Sequence, residues 1–140
     1  MSKKNIGVIG AGAWGTAMAQ ALARNGHKVE VWAMEQEVVD SINNEHENKK
    51  FLPGFKLSEN LTADTDIKKV SYGKEFLILA SPSLYLAKTV ANIVDVPTIA
   101  DGSTTIGVLA KGFIPSDDGP RLIIETLESV LPSIYNKSLV

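Results

Sequence analysis

Glycines stand at positions 10, 12 and 15 with Ala11, Ala13 and Trp14 between them, giving the spacing G-x-G-x-x-G. That spacing suits an anion held against main chain. Glycine at 10 permits a turn that a Cβ disfavours. Glycine at 12 leaves room for a pyrophosphate to approach the backbone, and glycine at 15 lets a following helix pack closely on the preceding strand. Ala17 and Ala21 keep that contact small. The N–H groups of the first helical turn and the helix dipole then attract the phosphates. Glycine-rich turns are common, so context decides. Here the loop follows a strand pattern, opens an amphipathic helix and lies inside a β-α-β unit, the setting of a dinucleotide-binding fingerprint. No G-K-[ST] triplet follows the glycines, which excludes a P-loop.

Glu35 lies 20 positions beyond Gly15. In dinucleotide-binding folds an acidic residue at about that distance holds the adenosine ribose. The alternative is an exposed glutamate opening a helix, where the dipole also favours it. No arginine or lysine occurs from Trp32 to Val38 to pair with a 2′-phosphate, which favours NAD over NADP. Lys111 follows a buried-strand pattern, and an ammonium at the carboxyl end of a strand suits an anionic substrate. Its alternative is a solvated lysine at a strand end. His27, in a turn, and His46, in a polar stretch, read as surface histidines rather than as bases.

These residues need strands and helices in alternation to position them. Asn5 to Ile9 is a strand pattern ending in the glycine loop. Trp14 to Asn25 is helical, with Ala17, Met18, Ala21 and Leu22 on one face, and Gly26 stands where a helix C-cap glycine belongs. Lys28 to Trp32 gives a second strand and Gln36 to Asn43 a second helix; 44–58 is an ordered loop around Pro53-Gly54. Leu61 to Ala63 is a short strand, followed by a helical turn around Thr65 to Val70. Phe76 to Ala80 is an unbroken apolar run, expected to be a strand buried on both faces. Ser81-Pro82 then gives an N-cap serine and a proline at the first helical position, with Leu84, Ala87, Ala91 and Val94 as the inner face. Thr105 to Ala110 is another strand, 111–119 a loop, and Pro120 opens a helix whose apolar side is Leu122, Ile123, Leu127, Val130 and Leu131. Strand–helix alternation implies right-handed crossovers and an α/β, doubly wound, mainly parallel Rossmann-type sheet with helices on both faces. Ligands bind beyond the carboxyl ends of such strands.

Composition narrows the class. At 140 residues the chain is one domain, 1–140, with 44% hydrophobic and 21% charged residues and a net charge of −2. It offers no basic surface for nucleic acid and no polybasic membrane arm. Cysteine is absent, which excludes disulfides, thiolate nucleophiles and zinc–sulfur sites and agrees with a cytoplasmic setting. The stretch from Ile6 to Ala23 is interrupted by Gly7, Gly10, Gly12 and Gly15, so it reads as strand, turn and helix rather than as a secretory signal.

Taken in order, Gly-Ala-Gly-Ala-Trp-Gly-Thr-Ala, Asn25-Gly26-His27, Val31-Trp32, the segment Glu47 to Gly54 (E-N-K-K-F-L-P-G) and Lys111-Gly112 resemble the bacterial NAD(P)-dependent glycerol-3-phosphate dehydrogenases. The resemblance runs over essentially the whole chain. It implies that Ala13 and Trp14 contact the cofactor, that Met34 and Glu35 hold the adenosine end, and that Phe51 lies near it. It also implies that Ser81 and Pro82 line the site and that Lys111 contacts cofactor and substrate. Ala13 stands in place of a usual serine, Met34-Glu35 where many members carry histidine or arginine, Ser81 in place of valine, and Ile114 in place of a glutamate. Family members are more than twice as long, with the catalytic lysine in a helical C-terminal domain. The chain therefore reads as an N-terminal fragment with no catalytic residue of its own, inactive alone.

The activity so implied interconverts sn-glycerol 3-phosphate and dihydroxyacetone phosphate by hydride transfer, feeding phospholipid synthesis, in an enzyme that could be a homodimer. Related ketopantoate and 6-phosphogluconate dehydrogenases share the glycine loop but are not expected to carry E-N-x-x-F-L-P-G. A non-catalytic NADH-sensing module is the other alternative, although no basic helix or charged tail accompanies the domain here.

Overall fold

The computed structural model describes residues 3–109, 113–114 and 117–140, the side chains of 113–114 excepted. Five strands form one parallel sheet: β1 (Asn5–Ile9), β2 (Lys28–Trp32), β3 (Leu61–Asp64), β4 (Phe76–Leu79) and β5 (Thr105–Val108). Their order is β3-β2-β1-β4-β5. In register, Ile9 at the end of β1 stands beside Trp32 on one side and Leu79 on the other. The chain winds outward from β1 in one direction and then from β4 in the other. The carboxyl ends of β1 and β4 thus form a topological switch point, where such sheets bind ligands.

Helices α1 (Ala13–Arg24) and α2 (Gln36–Glu45) link the first three strands, and a short α3 (Ile67–Ser71) precedes β4. Asp66 caps α3 by accepting from the Lys68 and Lys69 amides. Beyond β4 come α4 (Ser83–Ala91), α5 (Pro97–Ala100) and α6 (Ile123–Val130). Two apolar clusters make the core. One joins Val8, Val29 and Val31 to Ala19, Val38, Val39 and Ile42. The other joins Ile9, Leu77, Leu79 and Ile106 to Leu86, Val90, Ile99 and Leu127. Among the described residues no helix is long and apolar enough to cross a membrane.

β1 and β2 fall where the sequence places them, and Gly26 follows α1 with φ +94°, as a C-cap glycine should. Several expectations are corrected. Ser81 does not cap α4: Pro82 occupies the N-cap position, while the Ser81 hydroxyl donates to the Ile9 carbonyl at 3.1 Å. The inner face of α4 is Leu86 and Val90, continued by Ile93, and Leu84 is exposed. Both stripes have helical spacing in an apolar segment, and only the position of the sheet decides between them. Phe76 is exposed and Ile78 only partly buried, so β4 is fully buried on the face of Leu77 and Leu79 and not on the other.

Where a loop over 111–119 and then a helix are expected, β6 (Phe113–Ile114) pairs antiparallel with β7 (Arg121–Leu122). α6 therefore begins at Ile123 rather than Pro120, leaving Leu122 exposed. The histidines are corrected as well. His27 is buried, and its Nδ1 accepts from the Lys4 amide at 3.1 Å, tying the entries of β1 and β2 together. His46 is half-buried in the left-handed C-cap of α2, and its carbonyl accepts from the Leu57 amide.

Candidate functional site

A pocket of about 780 Å³ lies at the carboxyl ends of β1, β2 and β4. The β1–α1 loop contributes Gly10, Gly12, Ala13, Trp14 and Gly15; the end of β2 contributes Met34 and Glu35. Phe51 closes one side and Ser81-Pro82 another. Ten residues singled out from the sequence thus line one cavity, of a size usual for small-molecule sites. Lys111 falls outside the described residues. Sequence reasoning missed Trp32, Ala33, Ala80 and Tyr85, which also line the pocket. The first three adjoin the ends of β2 and β4, so a rule extending each strand end by a residue finds them. Tyr85 is brought in by the start of α4 and carries no such signal.

The three glycines serve different needs. Gly10 has φ +121°, a conformation L side chains rarely adopt, and a Cβ there would sit 2.8 Å from the Ser81 amide nitrogen. A Cβ on Gly15 would sit 2.1 Å from the Gly10 carbonyl oxygen, so the approach of α1 to the end of β1 excludes any side chain. Gly12 differs. A Cβ there would meet nothing within 4 Å, so protein packing does not demand this glycine.

Gly12 is also the N-cap of α1, and it offers no side-chain cap; the first turn carries no acidic residue. The amides of Ala13, Trp14 and Gly15 have no intrahelical acceptor. They lie beside the cavity at the positive end of a 12-residue helix. Trp14 is 78% exposed and forms an apolar lip. Ser81 lines the pocket, but its hydroxyl is held by the Ile9 carbonyl.

At the β2 end, Glu35 precedes α2 and its carboxylate caps no amide. Lys50 reaches it from the 47–54 loop. Its Nζ lies 2.7 Å from Glu37 Oε1, 3.8 Å from Glu35 Oε2 and 5.6 Å from the centre of the Phe51 ring. The hydrogen bond to Glu37 leads the causes that raise the Lys50 pKa. The sequence between Trp32 and Val38 holds no cation, yet the tertiary structure brings one to that end of the pocket. A local sequence window could not show it.

Over residues 5–140 the chain matches the family described as NAD-dependent glycerol-3-phosphate dehydrogenase N-terminus. It is 46% identical over 141 aligned residues to an NAD(P)+ glycerol-3-phosphate dehydrogenase of Treponema denticola, covering 96% of this chain and 40% of that protein. To the corresponding enzyme of Bacillus velezensis it is 36% identical, over 98% of this chain and 38% of the relative. The fold superposes on glycerol-3-phosphate dehydrogenase from Coxiella burnetii with a TM-score of 0.81 at 32% identity, over 92% of this chain and 38% of that one. The enzyme from Saccharomyces cerevisiae gives a TM-score of 0.81 at 26% identity, over 93% and 40%. The chain spans about two-fifths of the length of these relatives. Matched over residues 5–140 and superposing on solved members with a TM-score of 0.81, this chain belongs to the NAD-dependent glycerol-3-phosphate dehydrogenase family and carries its N-terminal region.

Proposed function

We propose that residues 1–140 are the NAD-binding domain of an enzyme interconverting sn-glycerol 3-phosphate and dihydroxyacetone phosphate. The observation that carries the reading is Gly12: a glycine that packing does not require, at the uncapped N-terminus of α1, facing an open pocket. Those features fit a pyrophosphate, which needs close approach to main chain and unpaired amide donors. In this reading Gly10 and Gly15 shape the loop, and the amides from Gly12 to Gly15 hold the phosphates. Ala13 and Trp14 contact the cofactor through main chain and ring. Met34, Glu35 and Phe51 flank the adenosine end, with the Glu35 carboxylate accepting from the ribose hydroxyls. Ser81 and Pro82 border the nicotinamide side, and Lys111 contacts both cofactor and substrate.

Bound NAD supplies the hydride acceptor for oxidation of the secondary alcohol. The chain's own residues bind and orient. Hydride transfer also needs an acid–base group within hydrogen-bond reach of the reacting hydroxyl. We assign that group to sequence outside these 140 residues, so the chain by itself binds cofactor without turnover. A cytoplasmic homodimer serving phospholipid synthesis completes the reading and rests on the family resemblance.

Calorimetric titration with NADH tests it. Gly12→Val should weaken binding severalfold or more while costing no more than the ~1 kcal/mol of a poorer helix N-cap, because a Cβ there meets nothing within 4 Å. Equal affinity in the variant would overturn the proposed phosphate seat.

A further inference from the structure

Asn48 touches no part of the pocket surface, yet its side chain joins two of the pocket's walls. It is fully buried. One amide hydrogen goes to the Ala11 carbonyl at 2.8 Å and the other to Thr16 Oγ1 at 2.9 Å. Its Oδ1 accepts from the Phe51 amide at 3.1 Å, and its main-chain carbonyl accepts from Leu52 at 2.9 Å. Thr16, also fully buried, passes its own hydroxyl hydrogen to the Ala11 carbonyl at 3.2 Å. The Asn48 amide therefore uses both donors and its acceptor, and the Ala11 carbonyl receives two bonds.

The Ala11 carbonyl and the Gly12 N–H belong to one peptide unit. In a planar trans peptide these two groups point in opposite directions. Holding the carbonyl toward Asn48 therefore turns the Gly12 N–H away from the 47–54 loop. Main-chain amides around Gly12 are the donors proposed above for the pyrophosphate. The same side chain fixes the start of Phe51, the aromatic on the adenosine side of the pocket. One buried amide thus sets both the direction of a phosphate donor and the distance from that donor to the adenosine wall.

We infer that Asn48 is the positioning residue for cofactor binding, acting through the Ala11–Gly12 peptide and Phe51. The inference rests on the proposed NAD site. It predicts a signature that simple loss of stability does not produce. Asn48→Asp keeps the shape but replaces the donor facing Ala11. As a carboxylate it repels that carbonyl; as a carboxylic acid it can donate to it again. Burial favours the acid form and raises its pKa.

The experiment is titration of the 140-residue chain with NAD+ between pH 5 and 8, at a temperature where unfolding shows every protein folded. NAD+ carries no group that titrates in this range. Native protein should bind with little pH dependence. Asn48→Asp should lose affinity by about tenfold as pH rises, the scale of one hydrogen bond, and regain it on acidification. A variant as tight as native protein at every pH, or one weakened equally at all pH values, overturns the inference. If Asn48→Asp does not fold, Thr16→Val decides: it removes one donor to Ala11 and the acceptor for Asn48, and should weaken NAD+ about threefold or more. Unchanged affinity in folded Thr16→Val overturns the inference. Failure of native protein to bind NAD+ sinks the proposed site itself, which separates the two failures.

Discussion

Two glycines in one loop answer to opposite physical demands, and substitution separates them. Gly15→Ala places a carbon 2.1 Å from a backbone oxygen. Relief requires α1 to move off β1, and the ~1 kcal/mol gained from better helix propensity cannot offset that. Urea unfolding should show a loss of about 2 kcal/mol or more, in the range of overpacked sites; a stabilised variant would contradict the close packing. Gly12→Val, by contrast, should cost only the ~1 kcal/mol of a poorer N-cap and act mainly on binding. Charge at the adenosine end makes a further residue-level prediction. Glu35 and Glu37 repel a 2′-phosphate, and Lys50 is already engaged by both. NADPH should therefore bind no more tightly than NADH, and a titration favouring NADPH by about tenfold would overturn this assignment.

Helix α4 shows how an element's role depends on what it packs against. Its two apolar stripes have the same spacing, but only one faces β4, β5 and α6. Leu86 is completely buried, whereas Leu84 is 68% exposed. Leu86→Ala should cost about 2–5 kcal/mol by chemical denaturation, and Leu84→Ser less than ~0.5 kcal/mol. Equal costs would mean that the helix is rotated from its described position. The 47–54 loop is organised differently, by hydrogen bonds rather than apolar burial. Glu47 accepts from the Gly54 amide at 3.1 Å, and Asn48 and Leu52 pair across it. That internal bonding lets a polar, irregular segment present Phe51 to the pocket and Lys50 to Glu35 in a defined place.

At the scale of the molecule, stability against acid depends on carboxylates that gain partners on folding. Asp64, at the end of β3, accepts from Lys69 Nζ at 2.7 Å and from the Asp66 amide at 2.8 Å. The Lys69 hydrogen bond is the main cause that holds its pKa below the ordinary aspartate value, with the backbone bond adding to it. A lowered pKa in the folded state means that the unfolded chain binds more protons in acid. The contribution is complete above the ordinary aspartate range of about pH 4 and disappears as pH falls through the folded value. Lys69→Met should therefore flatten the fall of the urea midpoint below about pH 4. Parallel curves for the two proteins would show that the pair does not contribute.

Some of this was legible from local pattern alone. β1, β2, the glycine loop and the acidic residue after β2 depend on backbone angles, side-chain period and short-range spacing, all of which are written in adjacent residues. The same locality explains the misses. Ser81 is a good N-cap by type, but a carbonyl 72 positions earlier takes its hydroxyl. His27 is a polar residue in a turn, buried because the entry of β1 passes beside it. Asn48 and Ala11 are 37 positions apart, and Lys50 and Glu35 are 15, so neither pairing leaves a periodic trace. The sequence by itself determined a glycine-rich strand-to-helix turn within a parallel α/β sheet and, through its motifs, the family. Only the tertiary structure decided which polar groups serve that turn, because buried donors and charges take whichever partners the packed sheet brings within reach.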